Sequence, residues 1–263
     1  MSFRILRLSL IAAVVCLLAS CSASPEKYFP EFPSKKATLG ETVLLQDVFI
    51  VEGTATDTGK FDALWNLRMS DSLLYFLNGE CLKRGYPLSR AVLASMGMPF
   101  GGRTNYSLVS TDEEQEFDID DLPKKHPPFF IGAEIDSSEE AKHQWKNICR
   151  SLLQTPFQPE ATHTIIAEAS EFGKRLNAST MFVCFATGIT IPAGERARDV
   201  HMHPNKPQGY VADEKISQAS ITLYVIDVET GELLWADQSV ITGGTVYLGK
   251  MTILFERVLN RLP

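Results

Sequence analysis

The chain has 263 residues, of which 44% are hydrophobic and 22% charged, and 25 Lys and Arg against 32 Asp and Glu give a formal net charge of −7 at pH 7. A chain of this length can bury one sizeable hydrophobic core. The acidic balance argues against a nucleic-acid-binding protein and against a polybasic membrane face, because both need clusters of Lys and Arg.

The first twenty-one residues have the pattern of a lipoprotein signal. Arg4 and Arg7 precede an apolar run over 8–18, which is too short to cross a bilayer, since a spanning helix needs about 20 apolar residues. The run ends in Leu-Ala-Ser-Cys at Cys21, which resembles the lipobox of bacterial lipoproteins. That resemblance implies cleavage before Cys21 and attachment of palmitate-type acyl chains to it. Ser22 implies transport to the outer membrane, with the domain facing the periplasm. The alternative is a plain secretory signal with an incidental cysteine.

Three segments follow from this pattern. Residues 1–20 are the predicted signal peptide, residues 21–38 a lipidated tether with three prolines, and residues 39–263 a single α/β domain. Fully extended, the tether would span about 60 Å at about 3.3–3.6 Å per residue. The domain is therefore expected close to its membrane.

Hydrophobic periodicity predicts an alternation of strands and helices along the domain. Strands are predicted over 42–51, 86–95 and 181–191 and in a hairpin over 217–241, and helices over 62–84, 138–153, 159–176 and 246–262. Loops are predicted over 53–60 and 192–214, and an irregular, largely acidic insertion over about 100–137. This order predicts an α/β fold in which a mixed sheet carries helices on both faces.

The segment from Gly53 to Lys60 invites comparison with a phosphate-binding P-loop, because it lies between a predicted strand and a predicted helix. Its spacing does not fit. Five residues instead of four separate Gly53 from Gly59, and Phe61 stands where a Ser or Thr would bind Mg²⁺. The segment is therefore predicted to be a flexible loop.

Two further clusters could bind metal ions. His201 and His203 lie near Asp199 and Asp213, but no ligand set with metal-site spacing surrounds them. The acidic cluster over 112–121 lacks the central glycine and the spacing of a calcium loop. Solvated loops are expected at both places, with a metal site as the alternative, so no metal and no cofactor is assigned.

Three cysteines would remain besides the lipid-bearing one: Cys81, Cys149 and Cys184. Buried thiols are expected, with one disulfide as the alternative, since an extracytoplasmic compartment is oxidising. Cys184 lies between Val183 and Phe185, which indicates a core position rather than a nucleophile. With no Gly-x-Ser-x-Gly motif either, no catalytic residue is assigned and the protein is predicted not to be an enzyme.

The late hairpin carries a resemblance to a known group. Asp227, Thr230 and Gly231 match Asp-x-x-(Thr/Ser)-Gly, and Leu234 and Trp235 match the Leu-Trp of the following strand. This arrangement resembles bacterial lipoproteins that are similar to the amino-terminal domain of TolB. The group includes the curli-secretion channel lipoprotein, the polysaccharide-secretion lipoprotein PelC and the penicillin-binding-protein activator LpoB. The resemblance implies a three-layer α/β/α sandwich.

The lipobox and this resemblance together imply a function. We expect a non-enzymatic outer-membrane lipoprotein that serves as an assembly or accessory subunit of a cell-envelope machine, with polymer secretion or export as the favoured class. Its partners would be the membrane, through the lipid on Cys21, and an envelope protein or further copies of itself. Trp235, at the end of a predicted strand, is expected to be a core or rim residue, with a role in a partner interface as the alternative, because Trp is enriched at interfaces. The other functions considered are a regulatory activator of a cell-wall synthase and a periplasmic hydrolase.

Overall fold

Eight strands of the described chain form one mixed β-sheet in the computed structural model, which describes residues 29, 32, 39–53, 59–98, 106–109, 128–155, 164–190 and 217–263. The strands are β1 (Thr42–Gly53), β2 (Gly59–Asp62), β3 (Arg90–Met96), β4 (Tyr106–Val109), β5 (Phe130–Ile131), β6 (Thr180–Thr190), β7 (Gln218–Asp227) and β8 (Leu233–Thr242). The helices are α1 (Ala63–Lys83), α2 (Glu139–Gln154), α3 (Ala169–Arg175) and α4 (Leu248–Leu259).

The long strand β1 is the centre of the sheet. It pairs in parallel with β3 on one side and with β6 on the other, and β7 and β8 extend the sheet beyond β6 in antiparallel pairing. β2 turns back antiparallel on the end of β1, and the short strands β4 and β5 pair with β2 and β3. We call the end of the sheet with Thr42, Thr180 and Asp227, which lie opposite one another, the lower edge. The end where Glu52 lies opposite Thr190 is the upper edge.

Two adjacent residues of β1 show that helices cover both faces of the sheet, because neighbouring side chains of a strand point to opposite faces. Gln46 accepts a hydrogen bond of 2.8 Å from Ser70 of α1. Asp47 accepts one of 2.5 Å from Ser95 of β3, whose hydroxyl in turn accepts from the Trp145 indole of α2 at 2.9 Å. α1 and α2 therefore lie on opposite faces, and the predicted α/β fold with a mixed sheet in three layers is confirmed.

The remaining helices lie beside these two. The Arg84 guanidinium, just after α1, donates to the Asn260 side chain at the end of α4 at 2.7 Å. On the other face the rings of Trp145 and Phe172 of α3 stack with centroids 5.7 Å apart. α1 begins at its predicted place because the carboxylate of Asp62 accepts from the backbone N–H of Trp65 at 2.9 Å, which is an ordinary N-cap.

Part of the predicted loop over 53–60 is a strand. Gly59–Asp62 forms β2 because Phe61 is fully buried, with its ring centroid 4.1 Å from that of Phe129 and 5.8 Å from that of Phe49. Phe129 belongs to the insertion predicted to be irregular, and that insertion also supplies β4 and β5. Packing of this aromatic cluster thus explains why parts of the predicted loop over 53–60 and of the predicted insertion form strands of the sheet.

The helix predicted over 159–176 is shorter than expected and begins at Ala169. Ahead of it the backbone is bonded to the hairpin instead: Ile166 N–H donates to the Gly231 carbonyl, and Leu233 N–H donates to the Thr164 carbonyl, both at 2.8 Å. β-branched residues such as Thr164 and Ile166 favour this extended pairing over a helix. Residues 159–163 lie outside the described residues.

Two helical glycines should respond to alanine in opposite directions. Gly79 of α1 has no atom within 4 Å of the place a Cβ would take, whereas a Cβ on Gly173 of α3 would lie 2.4 Å from a methyl group of Val228. Gly79→Ala is expected to raise the free energy of unfolding by about 0.5–1 kcal/mol. Gly173→Ala is expected to lower it by about 1–3 kcal/mol. Urea denaturation of both variants tests the packing, and equal effects would contradict it.

Candidate functional site

Two phenylalanines of the predicted tether lie in the hydrophobic core. Phe29 is 3% exposed and Phe32 is 1% exposed. The two are joined locally, since Phe32 N–H donates to the Phe29 carbonyl at 3.3 Å. The Phe32 ring stacks on the ring of Tyr86 with centroids 6.3 Å apart. The folded core therefore takes in part of residues 21–38, ahead of the predicted domain boundary at residue 39.

This docking place is at the lower edge of the sheet. α1 connects the upper end of β1 to β3, which begins at Arg90 opposite Val43, so α1 runs downward and ends near the lower edge. Tyr86 follows α1 directly and donates its hydroxyl hydrogen to the Pro263 carbonyl. Phe29 and Phe32 thus enter the core where α1 and the carboxyl-terminal residues meet.

A cavity of about 360 Å³ opens at the opposite, upper edge. Its apolar wall includes Ile50, the half-buried Trp65 and Val246, and its rim carries Glu52 and Lys60. It lies where the connections from the two central parallel strands diverge, since β1 leads to β3 on one side and β6 leads to β7 on the other. Open α/β sheets bind ligands at such switch points.

Two exposed apolar residues are sequence neighbours of residues that line this cavity. Ile189, next to the lining residue Thr190, is 43% exposed, and Tyr247, next to Val246, is 56% exposed. The cavity wall is fixed locally, because Val246 N–H donates to the Thr190 hydroxyl at 3.1 Å. The upper edge therefore offers an apolar recess with charges of both signs at its rim, which suits a side chain or segment of a partner.

A buried carboxyl lies between the two edges. Asp47 is fully buried, and one of its oxygens accepts from the Ser95 hydroxyl and from Met98 N–H at 3.0 Å. Its other oxygen makes no hydrogen bond within the described part of the chain. Burial raises the pKa of Asp47 to about 7. Because no part of this carboxyl reaches the surface, it can hold a proton in the core but cannot contact a substrate.

The three cysteine thiols are free and buried, as the sequence predicts. Burial raises the pKa of Cys81 to about 12 and the pKa of Cys149 and Cys184 well above its usual value. None can therefore act as a nucleophile, which needs an accessible thiolate. Cys21, His201, His203 and the acidic cluster over 112–121 lie outside the described residues.

The hairpin that carries the resemblance is formed as expected. The carboxylate of Asp227 accepts from Thr230 N–H at 2.9 Å and from its hydroxyl at 3.1 Å, and Gly231 takes the left-handed conformation with φ 74°. Leu234 is 5% exposed and Trp235 is 0% exposed. Of the two positions considered for Trp235, the structure shows the core. Its ring supports the sheet and offers no surface to a partner.

The described part of the chain contains neither a helix that could span a membrane nor a cluster of metal ligands. None of the helices described is both long and apolar enough to span a membrane. Across the described ranges, no group of three or more His, Cys, Asp or Glu side chains could hold a metal ion.

No family model and no curated protein sequence matches this chain. The solved structures that resemble it at low identity include the following two. A dodecamer of a PelC point variant from Paraburkholderia phytofirmans aligns over 85% of this chain and 88% of its own with 12% identity and a TM-score of 0.30. The lipoprotein GNA1162 from Neisseria meningitidis aligns over 84% and 97% with 10% identity and a TM-score of 0.29. Likenesses of this degree do not assign the chain to a family or lend it a function.

Proposed function

We propose that this chain is a lipid-anchored, non-enzymatic accessory subunit of a cell-envelope machine, and that it works by holding its domain close to a membrane. The observation that carries the proposal is the burial of Phe29 and Phe32 so soon after the lipobox cysteine. Phe29 is eight residues beyond Cys21. The connecting segment, residues 21–29, therefore spans at most about 26–29 Å at about 3.3–3.6 Å per residue.

Lipid on Cys21 supplies the anchor in this proposal. Each buried CH₂ group contributes about 0.8 kcal/mol, so several acyl chains on one cysteine hold the chain stably in a bilayer. Ser22 after the lipidated cysteine directs the protein to the outer membrane, with the domain in the periplasm. The short connecting segment favours a partner at the same membrane. It speaks against an activator that must reach a synthase in another membrane.

The partner surface in this proposal is the upper edge. The apolar cavity beside Trp65 and the exposed ring of Tyr247 lie at the end of the sheet away from the docked segment. An envelope protein or a second copy of the chain is the expected occupant. We favour a machine that exports a polymer, because the hairpin resembles that of a lipoprotein group that includes secretion lipoproteins.

Separating the domain from its lipid tests this function. Cys21→Ser behind an ordinary cleavable secretory signal should deliver the same domain unlipidated, and Ser22→Ala is the matched control that keeps the lipidated cysteine. We expect the first variant in the soluble fraction and unable to restore the envelope phenotype of a deletion strain, and the second in the membrane fraction with full restoration. Full restoration by the soluble domain would point to a freely diffusing enzyme instead.

A further inference from the structure

We infer that the lower edge of the domain, at the end of α1, lies against the lipid surface, with Leu82 as an exposed side chain that meets it. This inference rests on the proposed function, because it needs the lipid on Cys21. It adds the orientation of the domain, which the proposal leaves open.

The first step compares the connecting segment with the height of the domain. α1 has 21 residues and is therefore about 31 Å long at 1.5 Å per residue. It runs from the upper edge to the lower edge, where Phe29 and Phe32 enter the core. If the upper edge faced the bilayer, residues 21–29 would have to run the whole height of the domain. Their greatest span, about 26–29 Å, is shorter than that.

The second step identifies what the lower edge presents. Leu82 lies in the last turn of α1, four residues before Tyr86, and is 63% exposed. A single exposed leucine is common on protein surfaces, so it is the position of Leu82, next to the place where the anchored chain enters the fold, that makes it the apolar side chain through which this edge would contact the bilayer boundary.

The charges near Leu82 do not by themselves select anionic lipids. Lys83 lies 2.6 Å from the carboxylate of Glu80, and Arg84 contacts the other oxygen of the same carboxylate. The carboxylate of Glu80 thus forms ion pairs with both Lys83 and Arg84, and the net charge of these three side chains is small. The contact therefore depends on the covalent anchor and on Leu82, and it should persist at high salt, because screening weakens only the electrostatic part.

Cysteines introduced one at a time at exposed sites can report this orientation, because the native thiols are not accessible to a maleimide. Cys81, Cys149 and Cys184 are 0% exposed, and an acylated Cys21 has no thiol. The lipidated protein is reconstituted alone into phosphatidylethanolamine–phosphatidylglycerol vesicles, so that no partner protein can shield it. Labelling by a polyethylene glycol maleimide is then compared before and after detergent solubilisation. The variants are Leu82→Cys at the lower edge and Tyr247→Cys, at a site 56% exposed, near the upper edge.

We expect Leu82→Cys to label several-fold more slowly in vesicles than in detergent, and Tyr247→Cys to label equally in both. Tyr75→Cys, at an 85% exposed site two turns above Leu82, should show weaker protection, and it replaces Leu82→Cys if that variant does not fold. Equal labelling of Leu82→Cys and Tyr75→Cys in both states, or protection of Tyr247→Cys instead, would overturn the orientation. Labelling of the unsubstituted protein at Cys21 would instead overturn the proposed function, so the two failures can be told apart.

Discussion

Replacing Phe32 by alanine is expected to lower the free energy of unfolding by about 3–5 kcal/mol, the usual cost of removing a buried phenylalanine. Its ring is 1% exposed and stacks on Tyr86, so the variant loses apolar burial and leaves a cavity. Urea denaturation of the mature chain with Cys21→Ser, which keeps the protein soluble, measures the effect. Phe29→Ala, at a 3% exposed site, should fall in the same range.

Tyr75→Ala is the matched control, because Tyr75 is an aromatic residue that is 85% exposed. Its effect should stay within about 0.5 kcal/mol, as for most surface substitutions. If Phe32→Ala were as mild as this control, the segment ahead of residue 39 would not be docked. The whole of residues 21–38 would then be free to extend. That result would contradict both the short distance between Cys21 and the domain and the orientation inferred from it.

Removing the buried charge of Asp47 should stabilise the protein at neutral and alkaline pH. Its pKa is raised from 3.8 to about 7 by burial, so the folded state binds a proton that the unfolded state releases. Stability from this group is therefore fully present below about pH 4, is lost as the pH rises towards 7, and stays low above that. The difference in pKa sets an upper limit of about 4 kcal/mol, at 1.36 kcal/mol per pH unit.

Asp47→Asn should abolish this part of the pH dependence, because the amide carries no charge to desolvate. At pH 8 we expect it to raise the free energy of unfolding by about 2–4 kcal/mol, and at pH 4 to change it little. Asp71→Asn, at an exposed position of α1, is the control for the exchange of side chains and should change the free energy of unfolding at pH 8 by no more than about 0.5 kcal/mol. A destabilised Asp47→Asn variant at pH 8 would show that the buried charge is compensated.

Local patterns predicted the elements that local chemistry decides. The apolar, β-branched run over 42–51 is the central strand β1, and the Asp227-x-x-Thr230-Gly231 turn closes the hairpin as its residue types require. The elements that the sequence missed depend on distant partners. Phe61 becomes a strand residue because Phe129 packs on it, and residues 164–166 extend because the hairpin bonds them.

The docked segment was missed for the same reason. Phe29 and Phe32 lie among prolines, with no periodicity of a strand or helix, so their neighbourhood is typical of a linker. Phe32 packs on Tyr86, which is far along the chain. The aromatic residues Tyr28, Phe29 and Phe32 within a polar, proline-rich stretch were the available signal.

The two parts of the candidate site differ in how well the sequence alone predicts them. Cys21 is marked by contiguous residues, whereas the upper cavity combines Ile50 of β1, Trp65 of α1 and Val246 of the connection before α4. Trp235 was readable as a core residue. Residues 233–236 are consecutive apolar residues, and strands covered on both faces carry such runs.

The most direct test of the central claim is the mass of the amino-terminal tryptic peptide of the protein extracted from its native membrane. Lipid anchorage predicts a peptide that begins at Cys21, ends at Lys27 and carries the added mass of acyl chains, with no species that retains residues 1–20. A peptide with an unmodified Cys21, or one that begins at another residue, would contradict the anchor and with it the positioning role proposed for the domain.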